Sequence, residues 1–452
     1  MNGFCLYLHR NEIDSIYNYE NRMTKYHFFL RVIIKKILFI CLFFSISVIA
    51  SSKEEIASRI KAIISKLPAN TVSGVFIYNP LMQDTIFANN ESMPMIPASV
   101  TKLFTTSTSL AVMGGDHKLS TKLFSDDIDF KDGELDGNLY IKGFGNSVFT
   151  DSDLEYLVTE LVKKGIKIIS GSVIGDDSYF DDIYTREDWI DGERANVKLP
   201  PISALVVDRN RTTIRKKIRK RYRYITENTN DPPVFAANKL SEKLKSAGIE
   251  IKGKTTKGIT PAKVYLLAEK SVQLKDLISL INKHSDNFLA ECLFKTLGAE
   301  ASGVQGNSFF SQQAILKFIK DNNIYSTGTE IVDGSGISRF DQATPLAING
   351  VLEKMYFDLV HFDDFFNSLS IAGVDGTLRG RMMGSGAENN FRGKTGSLNG
   401  VSGLAGYLTT PDGEDLIVTI IFEFNKGGWG DYRDVQDQIV EILLDLNTNS
   451  PD

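Results

Sequence analysis

The chain has 452 residues, with 51 Lys+Arg against 56 Asp+Glu, a formal net charge of −5 and 42% hydrophobic residues. This composition excludes a disordered, collagen-like or disulfide-stapled chain, and at roughly 150 residues per domain the length suggests two or three domains. The mildly acidic balance argues against nucleic acid as the main partner, because phosphate binding needs a basic face.

Lys35 and Lys36 precede an apolar run, residues 37–49, whose 13 positions hold two polar residues, Ser45 and Ser47. A membrane-spanning helix needs ~20 apolar residues. Val48 and Ala50 supply the small residues of a cleavage site, and Ser51-Ser52-Lys53 opens polar sequence. The segment therefore reads as a secretory signal peptide, with a buried core helix and an uncleaved anchor as alternatives. Met23 is a better start than Met1, so the signal spans about residues 23–50 of a leader covering residues 1–50, and the expected location is the periplasm. Cys5 and Cys41 leave with the leader, and Cys292 alone has no partner for a disulfide. His117, His284 and His361 are far apart and lack metal-ligand spacing, so no metal or cofactor is expected.

Residues 53–67 read as an amphipathic helix stopped by Pro68, and 72–78 with 84–88 as a hairpin around Asn79-Pro80. A helix is predicted over 99–113, closed by Gly114-Gly115. From about 119 to 261 the texture changes: strand-like runs at 137–142 and 171–175 flank a helix at 153–164, an α+β insertion. Helices follow at 274–282, 288–297 and 308–320, then a hairpin of 403–409 with 416–424. A last helix carries Val435, Ile439, Ile442, Leu443 and Leu446 on one face.

One stretch stands apart. Residues 209–223 hold nine Lys/Arg, interleaved with Ile214, Ile218, Tyr222 and Tyr224. It reads either as a polyanion or membrane-surface site, which allows peripheral membrane association, or as a solvated edge strand whose cations block pairing.

Three short motifs carry the chemistry. Ser99-Val100-Thr101-Lys102 opens a helix and puts an amine beside a hydroxyl at i, i+3. A serine becomes nucleophilic when a base takes its proton, and a lysine of lowered pKa can serve. Alone the signal is weak: on the order of one such tetrad arises by chance, and Ser58-Arg59-Ile60-Lys61 is a second one. Ser99 alone is equally an N-cap. Ser285-Asp286-Asn287 joins two helices; it offers a hydroxyl and a carboxamide, or simply a helix cap. Lys394-Thr395-Gly396-Ser397 precedes the last hairpin, where a lysine on a strand edge can hold a carboxylate and Gly396 lets a substrate backbone come close. A phosphate loop is excluded there, because Glu388 replaces the required glycine.

Together, and in this order, the motifs match the set of penicillin-binding proteins and serine β-lactamases. The chain resembles the D-alanyl-D-alanine carboxypeptidase/endopeptidase family of low-molecular-mass penicillin-binding proteins with a large insertion. The 182 residues between Lys102 and Ser285 carry that distinction. Local matches extend it: Pro97-Ala98, Pro201-Ile202-Ser203-Ala204-Leu205, Asp333-Gly334-Ser335-Gly336-Ile337-Ser338-Arg339, Ala372-Gly373-Val374-Asp375-Gly376-Thr377 and residues 393–400.

The resemblance implies an α/β fold. A penicillin-binding, serine β-lactamase-like transpeptidase domain, an antiparallel sheet flanked by helices, takes residues 51–118 and 265–452. Inserted α+β domains take 119–264, two small ones with about 128–185 nested in the rest. It implies a Ser99 acyl-enzyme on peptidoglycan stem peptides, with β-lactam antibiotics as covalent inhibitors. Lys102 is the implied base, although that role is disputed across related enzymes. Ser285 passes a proton, Asn287 orients the substrate, Lys394 and Thr395 hold the terminal carboxylate, and the N–H groups of Ser99 and Ser397 form the oxyanion hole. Asp176 and Arg339 match positions that read a diaminopimelate-type side chain, whose ammonium and carboxylate need one partner of each sign; Phe180 and Asn399 line that subsite. The alternatives are a β-lactamase of the same fold, against which the insertion argues, and a non-catalytic cell-wall binder. A Ser-His-Asp hydrolase has no Gly-x-Ser-x-Gly elbow to support it.

Overall fold

A computed structural model describes residues 51–127, 130–189, 199–219 and 221–446. The leader and its cysteines lie outside the described residues. Among the described residues no helix is long and apolar enough to cross a membrane.

The fold is α/β, and its centre is a six-stranded antiparallel sheet. The strands run in the order Ser370–Ile371, Arg392–Leu398, Val401–Thr409, Asp415–Glu423, Val72–Asn79, Asp84–Asn89. Side chains alternate along a strand, so each strand serves two cores. Leu404, Leu408, Val418, Ile420 and Phe422 face Ile56, Ile60, Ile439, Val440 and Leu443 from the first and last helices, Lys53–Ile64 and Trp429–Leu443. Ala405, Tyr407, Ile417 and Ile421 face the larger core, built with helices Lys102–Met113, Leu274–His284, Asn287–Ser302, Ser308–Asp321 and Pro345–Tyr356. Burial on both faces is why 416–422 is apolar at every position but Thr419 instead of alternating.

Between the first serine motif and the second, the chain leaves this body and returns along paired strands. Lys118–Ser125 and Tyr265–Gln273 run antiparallel from Lys118↔Gln273 to Ser125↔Tyr265. They edge a five-stranded sheet completed by Leu139–Phe144, Val173–Asp176 and Thr255–Lys257. Helices Asp151–Lys163 and Pro232–Ser246 cover it over a third core that includes Leu154, Leu157, Leu240 and Leu244. Trp189, Ile202 and Val206 belong instead to the large core, so the excursion is stitched to the body that carries the motifs.

The basic stretch is solvated, as the edge-strand alternative has it, but among the described residues it is not the rim of a larger sheet. Arg211–Ile218 and Arg221–Asn228 form a two-stranded ribbon that, among the described residues, pairs with no other strand.

Candidate active site

The serine motif does not begin as a regular α-helix. Ala98–Thr101 is a 3₁₀ turn that passes into the helix Lys102–Met113. In a 3₁₀ turn residues i and i+3 eclipse, which brings Ser99 and Lys102 closer than α geometry does. Ala98 sits at φ 49°, a left-handed value rare for a residue with a Cβ. The turn is clamped by three glycines. A Cβ on Gly336 would lie 1.9 Å from the Ala98 carbonyl oxygen, one on Gly396 2.7 Å from the Pro97 carbonyl oxygen, and one on Gly403 3.0 Å from Val100 Cγ2. Gly396 thus makes room for the protein's own backbone, in addition to any space it leaves for a substrate.

Lys102 is fully buried and its ammonium position has three oxygen neighbours: Ser99 Oγ at 2.9 Å, Asn287 Oδ1 at 2.7 Å and the Ser335 carbonyl at 2.5 Å. Burial pulls its pKa down to about 8, against the opposing pull of Asp333, Glu291, Asp286 and Asp341.

Ser285 is the C-cap of Leu274–His284, in the left-handed conformation with φ 53°. Asp286 caps the next helix, its carboxylate accepting from the Leu289 N–H at 3.0 Å. The capping task therefore falls to Asp286, which leaves the Ser285 hydroxyl for other partners. The Lys394 ammonium donates to it at 2.8 Å and to the Thr395 carbonyl at 2.8 Å. Lys394 is also fully buried, and burial, then repulsion from Lys102, holds its pKa well below the usual lysine value. Three motifs separated by hundreds of residues thus meet around two buried amines. Thr395 Oγ1 is 2.8 Å from Thr377 Oγ1, and the Arg433 guanidinium donates to Ser397 Oγ at 3.2 Å.

Arg339 and Asn399 are also together: the Arg339 guanidinium donates to the Asn399 carbonyl. Asp176 and Phe180 are not brought to this cluster. Asp176 is fully buried and accepts from the Ser178 N–H at 2.9 Å and the Thr260 N–H at 2.7 Å, with Lys142 Nζ at 3.0 Å. Burial raises its pKa, but those donors outweigh burial and the net shift is downward. A carboxylate so fully satisfied inside the excursion offers no face to a substrate ammonium. Phe180 is 1% exposed and bridges to Gly306, so its ring lines no open subsite. The neighbouring Asp177 is taken by the Tyr184 and Ser203 hydroxyls, each at 2.9 Å.

Behind Lys102 stands a group of buried acids that the sequence reading passed over. Glu291 accepts from the Gly334 N–H at 3.0 Å. Asp333 accepts from the N–H groups of Ser335, Gly336 and Ser338 at 3.1, 2.6 and 2.8 Å. Asp341 accepts from Val332 N–H at 2.7 Å and from Thr101 Oγ1 at 3.2 Å. These bonds shape the loop whose Ser335 carbonyl touches Lys102 and whose Gly336 clamps Ala98. Burial, then Asp333, pushes Glu291 up to about 8 and Asp341 well above the usual carboxyl range. The signal available was Glu291 itself, a charge inside the apolar run 288–297, four residues past Asn287. Among the described residues no group of His, Cys, Asp and Glu is arranged to hold a metal. Cys292 is buried, and burial raises its thiol pKa, so it is inert.

The D-Ala-D-Ala carboxypeptidase 3 (S13) family model matches residues 56–221 and 219–446. The chain belongs to this family. It is a serine-type D-Ala-D-Ala carboxypeptidase acting on peptidoglycan, of the low-molecular-mass penicillin-binding kind. A D-alanyl-D-alanine carboxypeptidase of Actinomadura sp. (strain R39) is 26% identical over 425 residues, 79% of this chain and 78% of that one. The D-alanyl-D-alanine carboxypeptidase DacB of Haemophilus influenzae is 27% identical over 422 residues, 79% of this chain and 86% of that one. The crystal structure of penicillin-binding protein 4 (dacB) from Haemophilus influenzae superposes with a TM-score of 0.75 at 24% identity, covering 85% of this chain and 99% of that one. That protein has also been solved with a β-lactam. The expected fold, antiparallel sheet and helices with inserted material, is the fold observed.

Proposed function

We propose that this S13 member works through a Ser99 acyl-enzyme with Lys102 as the base. One observation carries the assignment. Two of the three neighbours of Lys102 Nζ, Asn287 Oδ1 and the Ser335 carbonyl, are oxygens that only accept. The third, Ser99 Oγ, can donate. A neutral amine has two N–H groups and one lone pair. It satisfies both acceptors with the N–H groups and turns the lone pair to the serine proton. Burial moves the amine toward that neutral form.

Ser99 Oγ then attacks the carbonyl carbon of the penultimate D-alanine while its proton passes to Lys102 Nζ. The N–H groups of Ser99 and Ser397 take the oxyanion, a contribution of ~3 kcal/mol per donor. The C–N bond breaks and the leaving D-alanine amine takes a proton through Ser285, which the Lys394 ammonium holds in place. Lys394 and Thr395 bind the terminal carboxylate, and Asn287 orients the stem-peptide amide. Water attacks the ester and restores Ser99. Arg339, beside Asn399, is the cation for a carboxylate on the substrate side chain. The catalytic part takes residues 51–118 and 265–452, with 119–264 inserted and about 128–185 nested there. A signal peptide of about residues 23–50 delivers the enzyme to the periplasm. There its reach covers both pentapeptide ends and cross-links, which present the same kind of bond, and β-lactams acylate Ser99.

Incubating the protein with pentapeptide and with intact cross-linked muropeptides, and weighing the products, tests this reading. Loss of one D-alanine from pentapeptide is expected, with none from the Ser99→Ala variant. A penicillin adduct mapped by mass spectrometry to any side chain but Ser99 overturns the assignment.

A further inference from the structure

The basic ribbon is left unused by the mechanism. From Arg215 to Arg223 seven of nine residues are Lys or Arg, and no acid interrupts them. Directly opposed residues of an antiparallel pair share a face. Arg215, Lys217, Tyr222 and Tyr224 therefore lie on one face, and Lys216, Ile218, Arg221 and Arg223 on the other. Both faces are open: Tyr222 is 59% exposed, Tyr224 76% and Ile218 40%. Among the described residues Glu227 supplies a counter-charge, 3.4 Å from Lys216, and Arg215 stacks over the Tyr222 ring at 4.2 Å. An isolated two-stranded ribbon is marginal in water, and like charges at this density make it worse. Cations guard the two open edges of the ribbon, but that leaves the exposed Tyr222 and Tyr224 beside them unexplained.

The ribbon is nevertheless firmly mounted. Asp208, Arg209 and Asn210 turn the chain with φ values of 48°, 58° and 55°. Asn210 Nδ2 donates to the Pro201 carbonyl at 3.1 Å and Asn228 Nδ2 to the Leu199 carbonyl at 2.9 Å. Arg209 grips Asp286 through two bonds of 2.7 and 2.9 Å. Eight residues of strand reach roughly 27 Å from that mount.

We infer that this ribbon docks the protein on an anionic phospholipid bilayer. The cations supply the attraction, and because the whole chain carries a net −5, the ribbon is the part such a surface draws in. The exposed tyrosines choose the bilayer over a soluble polyanion. Phosphates alone leave Tyr222, Tyr224 and Ile218 in water, whereas a headgroup layer takes ring and hydroxyl together. The ribbon's mount also fixes Asp286, next to Ser285, so docking holds the catalytic loop in a set relation to the surface.

Co-sedimentation of the full chain with vesicles tests this, comparing phosphatidylcholine alone with phosphatidylcholine containing phosphatidylglycerol. Comparing variants that carry the same leader removes any share of the apolar run at residues 37–49 and of Lys35 and Lys36 before it. The protein is expected to prefer the anionic vesicles and to lose that preference as salt rises. Replacing Lys216, Lys217, Arg221 and Arg223 by Gln should cut the anionic partition about tenfold or more. Tyr222→Ser with Tyr224→Ser should cut it a few-fold without changing the salt dependence. Penicillin labelling of both variants should match the parent, showing an intact fold apart from the fate of the Ser99 assignment. No anionic preference in the parent, or unchanged binding in the Gln variant, overturns the inference. So does a tyrosine variant that binds vesicles as the parent does while polyphosphate displaces both, which identifies a soluble polyanion as the ligand.

Discussion

At Lys102 two opposing effects meet. Removing the ammonium from water favours the neutral amine, while Asp333, Glu291, Asp286 and Asp341 favour the charged one, and burial prevails to leave a pKa of about 8. Near neutrality about a tenth of the amine is then free to take a proton. The acylation rate is expected to rise with pH and level off above pH 8. Replacing Asp286, whose carboxylate stays ionised, by Asn removes one stabiliser of the ammonium while keeping a side chain able to cap the helix, so Lys102 titrates lower and the midpoint of the rise moves to more acidic pH. Stopped-flow acylation by penicillin across pH measures the shift, and a midpoint that stays or moves upward contradicts it. Ser99 and Lys102 could be read from spacing because one helical turn places them. Glu291, Asp333 and Asp341 could not, because their meeting depends on how a helix and a distant loop pack.

Most helices and strands of the catalytic body follow from local pattern. Residues 274–282 and 308–320 show the helical period and are found as Leu274–His284 and Ser308–Asp321. The helix Pro345–Tyr356 escaped notice although Thr344 caps it and proline opens it. Gly350 weakens its pattern, and that glycine is there because Ile324 packs where a Cβ would be, at 2.8 Å. The strand Arg392–Leu398 lies close against the 3₁₀ turn of Ser99, and Gly396 is the point of contact. A methyl group on Gly396 would push against the Pro97 carbonyl, Ala98 Cβ and Val100 Cγ2. Gly396→Ala should cost about 1–3 kcal/mol by overpacking. It should also slow penicillin labelling, since Lys394 rides the same strand. Urea unfolding alongside labelling checks both, and a variant with parental stability would show that the turn yields freely.

Across the whole molecule, the excursion and the catalytic loop are joined at Arg209 and Asp286. The guanidinium holds both carboxylate oxygens and stacks over Phe288 at 4.7 Å, 77 residues away in sequence from the loop it steadies. Burial raises the Asp286 pKa, but Arg209 and the Leu289 N–H outweigh it, so the carboxylate stays ionised. The pair is partly exposed, 39% and 21%, which limits its strength. A double-mutant cycle of Arg209→Ala with Asp286→Ala on the acylation rate should give a coupling of about 1 kcal/mol. Additive effects would mean that the excursion does not steady the Ser285 loop.

The order and spacing of the three motifs by themselves determined the reaction class, the nucleophile candidate and the presence of a large insertion. Those features depend on residues within a helical turn or on the length of chain between motifs. The tertiary structure alone decided which groups share a buried site. It set Asp286 as the cap and freed Ser285, gathered the acids behind Lys102, closed Asp176 inside the excursion and, among the described residues, left the basic ribbon without a neighbouring strand. Burial, and with it the charge state of every lysine and carboxylate here, depends on surfaces that meet only when the chain is folded.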